Sequence, residues 1–435
     1  MKYNKKAIVF EIQKKNFYSL TPLIATIDQD KELEKLDLVI LENIDTKEIK
    51  RLLQRYQSIV FGTSFRTAQL KEIYEKMKNL YSSLNSEELN RVLFIAGGSH
   101  PTGDPFATLR IGFDVSFIGE AEYSLPAFLK NYLEGNDIYS SPGIAFIENN
   151  SEKITFTQKP LLINLDDYPF ISKERGYYPP LEITRGCTFG CTFCQVPTMF
   201  APKTRHRSPD ILIEIVKWMV TRKLNDIRFI TPNSFGYMSS RAREINKEAI
   251  LYLLKSLKSI KGVRDIYYGT FPGEVRPETV TEDLMLDIKP FITNRRISIG
   301  LQSGSDDVLK KIHRGHTVDE SVNAIDVILK SGFIPVVDII IGLPGATEKN
   351  EFKTIEIIEK LVEKGCIIRA HVFMPLPGST LEKVQYKPTY SKIRKVLGRL
   401  NSQGKIEGSW SQQEKYASDS WKITQTITSL PAIKR

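Results

Sequence analysis

Three of the four cysteines in this 435-residue chain lie close together, at Cys187, Cys191 and Cys194, while Cys366 stands alone. A secreted disulfide framework would use more cysteines, spread along the chain, so the group indicates a metal site in a reducing compartment. Soft thiolates favour iron–sulfur clusters and zinc. Since structural zinc and electron-transfer clusters normally take four protein ligands, three cysteines would leave one iron free to bind another molecule. The alternatives are a zinc site completed by His206 or Cys366, and unligated thiols.

The composition is that of an ordinary globular protein, because 41% of the residues are apolar and 26% are charged. The net charge of +10 comes from scattered Lys and Arg residues. It indicates a mildly basic surface and stays compatible with a nucleic-acid or other anionic partner. No apolar run is long enough for a transmembrane helix, and no signal-peptide pattern follows the charged start. We therefore expect no membrane span and a cytoplasmic protein.

Two series of alternating strands and helices are expected to position the cysteines. Five strands in the first series, separated by amphipathic segments, predict a doubly wound parallel domain: Ala7–Phe10, Leu36–Leu41, Ser58–Gly62, Val92–Ala96 and Val115–Ile118. A hairpin and an ordered linker follow. The second series predicts six further β/α units, which is too few for a complete eight-unit barrel: Leu181–Thr184, Asp226–Thr231, Asp265–Gly269, Arg296–Leu301, Pro335–Ile341 and Cys366–Phe373.

The expected fold class is therefore α/β, with a Rossmann-like domain followed by a (β/α)6 partial TIM barrel and a short C-terminal extension. The predicted domains are residues 1–140, a hairpin and linker at 141–180, the partial barrel at 181–385 and a helical extension at 386–435. The last 35 residues are expected to pack against the barrel. The cysteines follow the first barrel strand, at the strand end where α/β barrels carry their chemistry.

The segment Cys187-Thr188-Phe189-Gly190-Cys191-Thr192-Phe193-Cys194 resembles the C-x-x-x-C-x-aromatic-C motif of the radical S-adenosylmethionine superfamily. The resemblance implies that the three cysteines hold a 4Fe–4S cluster whose open iron binds S-adenosylmethionine, with Phe193 beside the cofactor. One electron, from an external donor such as ferredoxin or flavodoxin, would then cleave the sulfonium to methionine and a 5′-deoxyadenosyl radical. The protein's part is placement of the reactants and exclusion of water.

Further segments resemble the same superfamily at the ends of later strands. Ile299-Gly300-Leu301-Gln302-Ser303-Gly304-Ser305 resembles the fourth-strand region of radical methylthiotransferases, Asp338–Gly345 a segment that packs on adenine, and His371–Gly378 a segment that reads the adenine edge. The residues implied as cofactor contacts are Gln302, Ser303, Asp338, Gly342, His371 and Phe373. The second strand lacks the Gly-Gly-Glu-Pro motif of many relatives, which leaves Asn233 or Ser234 to bind the methionyl amine.

The first domain resembles the cobalamin-binding domain joined to many radical S-adenosylmethionine enzymes. Three segments carry this resemblance: Gly62-Thr63-Ser64, Ala96–Thr102 and Phe117–Glu122. The implied contacts are Ser64, Gly97, Gly98, His100, Gly119 and Glu120. Because the D-x-H-x-x-G motif of other cobalamin proteins is absent, His100 is expected to be a loop histidine or a hydrogen-bonding group near the corrin, and cobalt would have no histidine ligand.

The leading hypothesis is an enzyme that methylates an unactivated carbon, using the radical to remove hydrogen and methylcobalamin to supply the methyl group. Its catalytic residues and substrate are not readable from the sequence. The alternatives are a radical rearrangement or cyclisation, a tRNA methylthiotransferase-like enzyme, and a non-catalytic iron–sulfur binding module. Methylthiotransferases place three further cysteines in their first domain, and this chain has none before Cys187. Cys366 is expected to be a small buried apolar residue.

Overall fold

The structure of this protein, a computed structural model, describes residues 5–148, 153–429 and 433. The turn of the expected hairpin, at residues 149–151, falls outside these ranges. Within them the chain forms two α/β units joined by an irregular segment. No helix in the described part of the chain is long and apolar enough to cross a membrane.

A seven-stranded sheet forms the first unit, in the order β2-β1-β3-β4-β5-β6-β7. The first five strands are parallel, and β6 and β7 extend the sheet as an antiparallel hairpin. All five predicted strands of the first series are present. Their order 2-1-3-4-5 creates a switch point between β1 and β3, where ligands bind in doubly wound folds. The strands are β1 (Lys6–Glu11), β2 (Asp37–Leu41), β3 (Ser58–Ser64), β4 (Val92–Gly97), β5 (Val115–Phe117), β6 (Ile144–Ile147) and β7 (Ile154–Phe156).

Helices cover both faces of this sheet, as parallel strands require. Successive residues of β1 alternate between two separate cores: Ala7 and Val9 belong to one, and Ile8 and Phe10 to the other. The helices are α1 (Phe17–Gln29), α2 (Thr46–Arg55), α3 (Leu70–Ser83), α4 (Ser86–Asn90), α5 (Ser99–Gly103), α6 (Pro105–Arg110) and α7 (Ser124–Glu134).

The second unit is an open barrel of parallel strands, in the order β12-β11-β8 and β13-β14-β15-β16. The segment after β12 joins the two groups through two parallel bridges, Gly273 with Thr231 and Val275 with Ile299. The first predicted barrel strand is split, because the chain leaves β8 to pair β9 antiparallel with β10. The short β16 continues the barrel beyond the six expected strands. The strands are β8 (Leu181–Glu182), β9 (Thr184–Arg185), β10 (Arg205–His206), β11 (Asp226–Ile230), β12 (Asp265–Tyr267), β13 (Arg296–Gln302), β14 (Ile334–Ile341), β15 (Ile367–Val372) and β16 (Ile406–Glu407).

The helices of the second unit lie outside the barrel, and capping boxes begin two of them at Thr317 and Thr347. Their inner faces and the strands form one large core that includes Cys366, which is 1% exposed. The helices are α8 (Val196–Phe200), α9 (Pro209–Thr221), α10 (Lys247–Ser259), α11 (Glu282–Ile288), α12 (Asp306–Lys311), α13 (Val318–Lys330), α14 (Glu348–Glu363), α15 (Ser391–Ser402) and α16 (Trp410–Ser429).

The final helix, α16, contacts both units, whereas the sequence predicted packing against the barrel alone. Near its start Gln413 reaches β15, where the backbone N–H of Val372 donates to its Oε1 at 3.1 Å. Further along, Ser420 donates to the carbonyl of Thr67 at 3.0 Å, and Ile427 joins the core of the first unit. The helix is polar along most of its length, and a few buried positions such as Ile427 decide where it packs.

Candidate functional site

The three cysteines lie on a loop, residues 186–195, that follows β9 and is called the cluster loop here. A glycine is required at its start, because Gly186 has φ +82° and a Cβ there would lie 2.1 Å from the carbonyl oxygen of Lys203. The loop is tied to the barrel where the backbone N–H of Thr192 donates to the carbonyl of Ile312 at 3.0 Å. Burial raises the pKa of Cys187, and raises that of Cys194 to about 11.

Two buried arginines surround Cys191. Arg276 Nη1 and Arg314 Nη1 lie 3.7 and 3.6 Å from its Sγ. Arg276 also stacks on Phe189, 3.4 Å from the ring centroid. The Nε atoms of both arginines are buried without a partner among the described residues. Cys191 is therefore buried beside two guanidinium groups, of which Arg276 also pairs with Glu278 at 2.6 Å. Cations beside a cysteine suit the thiolate form in which it ligates a metal.

A zinc site would need a fourth ligand beside the three cysteines. In the described ranges, no three His, Cys, Asp or Glu side chains are placed to hold a single metal ion. A single zinc draws its ligands to within about 2.3 Å of one point, whereas a cluster takes one thiolate on each iron and spreads them apart. Neither suggested fourth zinc ligand joins them: His206 bonds to Thr184 at 2.9 Å, and Cys366 lies in the barrel core.

The barrel contains a cavity of about 300 Å³ at the carboxyl ends of β13, β14 and β15, called the lumen cavity here. Five of the predicted cofactor contacts, from distant parts of the sequence, line it. Glu274, which the sequence did not mark as a site residue, lines it as well. A bulge between Gly300 and Gln302 interrupts β13 at this level. Apolar side chains line much of the remaining wall. The five predicted residues are Phe193, Gln302, Asp338, His371 and Phe373.

Two carboxylates, Glu274 and Asp338, line the lumen cavity, and Arg369 pairs with both of them. Arg369 Nη1 lies 3.2 Å from Glu274 Oε1 and 3.3 Å from Asp338 Oδ1. Burial, together with the neighbouring Asp338 carboxylate, raises the pKa of Glu274 to about 7. Asp338 is 2% exposed, and its Oδ2 has no partner among the described residues. The wall can therefore accept hydrogen bonds from a ligand's hydroxyl or ammonium groups.

Three other predicted contacts are placed outside the lumen cavity. Asn233 Oδ1 is occupied by the backbone N–H of Arg276 at 3.2 Å and by the Thr279 hydroxyl. The Ser303 hydroxyl lies 3.3 Å from Thr354 Oγ1 on α14. Gly342 has φ +79°, and its N–H donates to Glu351 at 3.0 Å. In this structure Asn233, Ser303 and Gly342 therefore shape the backbone around the site.

A second and larger cavity lies between the two units and is called the interdomain cavity here. It measures about 440 Å³, or about 1550 Å³ when its opening to solvent is included. One wall is the carboxyl edge of the first sheet, and the opposite wall includes residues at both ends of the cluster loop. The predicted residues that line it are Ser64, Gly97, Gly98, Gly119 and Glu120, and the facing barrel residues include Arg185, Gly186, Val196, Met199 and Phe200.

Small residues keep the sheet edge of the interdomain cavity open. A Cβ at Gly62 would lie 2.6 Å from the Phe10 ring. Gly98 has φ +100°, and a Cβ there would lie 2.6 Å from Ser64 Oγ. Packing therefore requires glycine at both positions, and the backbone forms part of the cavity wall there.

Buried ion pairs fix the two units across this cavity. Glu120 pairs with Arg205, and its Oε2 lies 3.4 Å from Arg185 Nη1. Arg185 also lies 2.7 Å from both Glu122 and Glu182. These side chains are almost fully buried, so removing one partner would leave a charge unpaired, which is costly. Glu120 thus has a positioning role beyond the ligand contact that the sequence predicted.

His100 is fully buried and does not line the interdomain cavity. Its Nδ1 lies 3.2 Å from the Thr67 hydroxyl, and its ring packs 5.4 Å from that of Phe65. Burial lowers the pKa of His100 to about 3, so the ring is neutral. The structure thus places His100 in the packing of the first unit, outside the lining of the interdomain cavity.

The barrel residues match a known family. Residues 181–358 fit the sequence profile of the radical SAM superfamily, where SAM denotes S-adenosylmethionine. The chain carries a radical SAM domain. A radical SAM domain implies a 4Fe–4S cluster and S-adenosylmethionine as cofactors.

A tRNA-modifying enzyme is among the sequence relatives of this chain. The chain is 28% identical over 241 residues to a tRNA-2-methylthio-N(6)-dimethylallyladenosine synthase from Sulfurihydrogenibium sp. (strain YO3AOP1), and the match covers 54% of this chain and 52% of the relative. The matched segment thus spans about half of that relative. The radical SAM match therefore leaves the specific reaction open.

Two solved structures share the fold over most of the chain. One is the cobalamin-dependent S-adenosylmethionine radical enzyme OxsB with aqua-cobalamin bound, with a TM-score of 0.65 and 17% identity, covering 82% of this chain and 52% of OxsB. The other is the radical S-adenosylmethionine methyltransferase TsrM from Kitasatospora setae, with a TM-score of 0.66 and 12% identity, covering 87% of this chain and 74% of TsrM. The two-unit architecture expected from the sequence is confirmed.

Proposed function

We propose that this radical SAM enzyme is a cobalamin-dependent methyltransferase that acts on an unactivated carbon. The observation that carries the proposal is the interdomain cavity, whose walls are the carboxyl edge of the first sheet and the barrel mouth beside the cluster loop. When bound, the cluster and S-adenosylmethionine supply a 5′-deoxyadenosyl radical, and methylcobalamin supplies the methyl group.

The roles of the chain's residues follow from their positions. Cys187, Cys191 and Cys194 would ligate the cluster, and the lumen cavity beside Phe193 would hold S-adenosylmethionine. Glu274 and Asp338 supply acceptors for its hydroxyl or ammonium groups. The apolar side chains at the barrel mouth would exclude water and protect a reactive radical.

The first sheet fits a corrin without a histidine ligand to cobalt. Gly62, Ser64, Gly97, Gly98 and Gly119 form a wall with little side-chain bulk. No histidine lies among the described residues that line the cavity, and the nearby His100 is engaged by Thr67. The residues therefore favour a corrin that lies against backbone and small side chains.

The test is anaerobic reconstitution with iron, sulfide and hydroxocobalamin, followed by removal of unbound cofactor. We expect four irons per chain, retained corrin absorbance, and 5′-deoxyadenosine after reduction with S-adenosylmethionine. Iron and nucleoside without retained corrin would refute the methylcobalamin mechanism while keeping the radical chemistry.

A matched pair of variants tests whether the corrin binds in the interdomain cavity. Gly97→Leu adds a side chain at a residue that lines the cavity, and its Cβ is tolerated because the nearest atom is 3.7 Å away and φ is not positive. Gly398→Leu, on the exposed face of α15 with nothing within 4 Å, is the control. Only Gly97→Leu should lose corrin, and both should keep iron. Equal corrin retention by the two variants would exclude this cavity as the binding site.

The second candidate is a methylthiotransferase acting on tRNA, favoured by the curated relative described above. It predicts a second iron–sulfur cluster and a sulfur-containing product. The chain has no cysteine before Cys187 with which to ligate a second cluster in the first unit. More than four irons per chain after reconstitution would support this candidate over the methyltransferase.

A further inference from the structure

A chain of hydrogen bonds links the C-terminal helix to the lumen cavity. The backbone N–H of Val372 donates to Gln413 Oε1 at 3.1 Å. Gln413 Nε2 lies 3.1 Å from His371 Nδ1. His371 Nε2 in turn lies 3.2 Å from Asp338 Oδ1. Gln413, His371 and Asp338 all line the lumen cavity.

The donor and the acceptor of each of these hydrogen bonds follow from the groups that take part. A backbone N–H can only donate, so the Gln413 oxygen must face Val372 and its NH₂ must face His371. Since an amide NH₂ only donates, Nδ1 of His371 must accept and carries no proton. The ring proton therefore sits on Nε2 and is donated to Asp338 Oδ1. Asp338 then keeps Oδ2, which has no partner among the described residues, as its free acceptor.

We propose that Gln413 is a positioning residue that holds His371 in its neutral Nε2–H tautomer and so orients Asp338 to receive S-adenosylmethionine. The inference rests on the proposed function in one respect, the identity of the ligand in the lumen cavity. The same helix reaches the first unit through Ser420 and Thr67, so the cofactor pocket and the first unit share one structural element.

The test begins with the protein free of S-adenosylmethionine. Nitrogen NMR of ¹⁵N-histidine-labelled protein distinguishes protonated from unprotonated ring nitrogens, and His371→Asn assigns the signal among the five histidines. In the wild type we expect Nδ1 unprotonated and Nε2 protonated. Gln413→Glu has the same shape but offers His371 only acceptors, so we expect a proton on Nδ1. A protonated Nδ1 in the wild type, or an unchanged spectrum in Gln413→Glu, would overturn the inference.

Gln412→Leu is the matched control, because Gln412 is exposed on the same helix and donates to Tyr416 instead. Its His371 spectrum should equal that of the wild type. After cluster reconstitution, calorimetry should show about fivefold weaker S-adenosylmethionine binding in Gln413→Leu and no change in Gln412→Leu. Equal weakening in both variants would assign Gln413 a general role in the helix and overturn the inference.

The proposed function and the positioning role of Gln413 are refuted by different results. If the wild type shows the expected tautomer but binds no S-adenosylmethionine, the proposed function fails and the role of Gln413 in fixing His371 stands. If the wild type binds S-adenosylmethionine and Gln413→Glu leaves both the spectrum and the affinity unchanged, the positioning role fails and the proposed function stands.

Discussion

Replacing Arg314 by Gln should make the iron–sulfur cluster harder to reduce. The Arg314 guanidinium is buried, lies 3.6 Å from Cys191 Sγ and donates to the carbonyl of Gly300 at 2.8 Å. Burial and the neighbouring Arg276 cation lower the pKa of Arg314 from its usual value. Arginine nevertheless keeps its charge in proteins, so the variant removes one cation from beside the proposed ligand.

The size of the effect follows from Coulomb's law. Cys191 Sγ lies 3.6 Å from Arg314 Nη1, and an electron held by a cluster on that sulfur would lie further away. Two unit charges separated by about 7 Å interact by about 2.4 kcal/mol at an effective dielectric constant of about 20. For a one-electron couple this corresponds to about 100 mV, since a tenfold change in equilibrium constant is about 59 mV. The midpoint potential of Arg314→Gln should therefore fall by about 100 mV.

The assay is an anaerobic redox titration followed by electron paramagnetic resonance, without S-adenosylmethionine. Arg314→Lys is the control, because it keeps the charge and should shift the potential far less. Since the site is buried, added salt should leave the difference between the variants in place. Fully assembled Arg314→Gln with the wild-type potential would refute the assignment of Cys191 as a ligand beside this cation.

Three further outcomes are expected. Burial raises the pKa of Glu351 to about 7, so the folded protein holds the Glu351 proton more tightly than the unfolded chain does. The free energy of unfolding therefore falls as pH rises from about 4.5 to 7. Glu351→Gln keeps the acceptor for the Gly342 N–H and should raise the thermal unfolding midpoint at pH 8 but not at pH 4. Alanine at any of the three cluster-loop cysteines should lower the amount of bound iron in a colorimetric assay. The control variant Cys366→Ala should keep four irons per chain. Loss of iron in that variant would place Cys366 in the site. Ile427→Ala should lower the free energy of unfolding of the first unit, measured by hydrogen exchange, by about 3 kcal/mol. Thr426→Ala, at an exposed position of the same helix, is the control and should leave it unchanged. Equal protection of the first unit's amides in both variants would refute the packing of α16.

Much of the architecture could be predicted because parallel strands are buried on both faces and leave continuous apolar runs. Apolar runs such as Ile8 to Phe10 predict their strands directly. The two residues of β16 carry no such signal, since Ile406 and Glu407 become a strand only by pairing with β15. The sequence also did not indicate that α16 packs against the first unit, because this packing depends on a few side chains in a mostly polar helix.

The candidate site was predictable where a motif is local and unpredictable where it is assembled across strands. The cysteine spacing identified the cluster loop from a single segment. Glu274 and Arg369 lie 95 residues apart and meet only because of barrel register, so no local pattern marked them. For His100 the sequence predicted a loop histidine or a hydrogen-bonding group near the corrin, and the structure places it on the short helix that begins at Ser99, with its ring beside Phe65.

The return of α16 to the first unit affects how the protein is made. Arg110 and Ile427, which meet where the Arg110 Nε donates to the Ile427 carbonyl, are separated by 317 residues. At about 10 residues per second, the ribosome needs about half a minute to join them. During that interval the nascent first unit exposes the apolar surface that Ile427 later covers. Chaperones that shield such surface would therefore matter until α16 has been synthesised, by which time both cavities have acquired most of their walls.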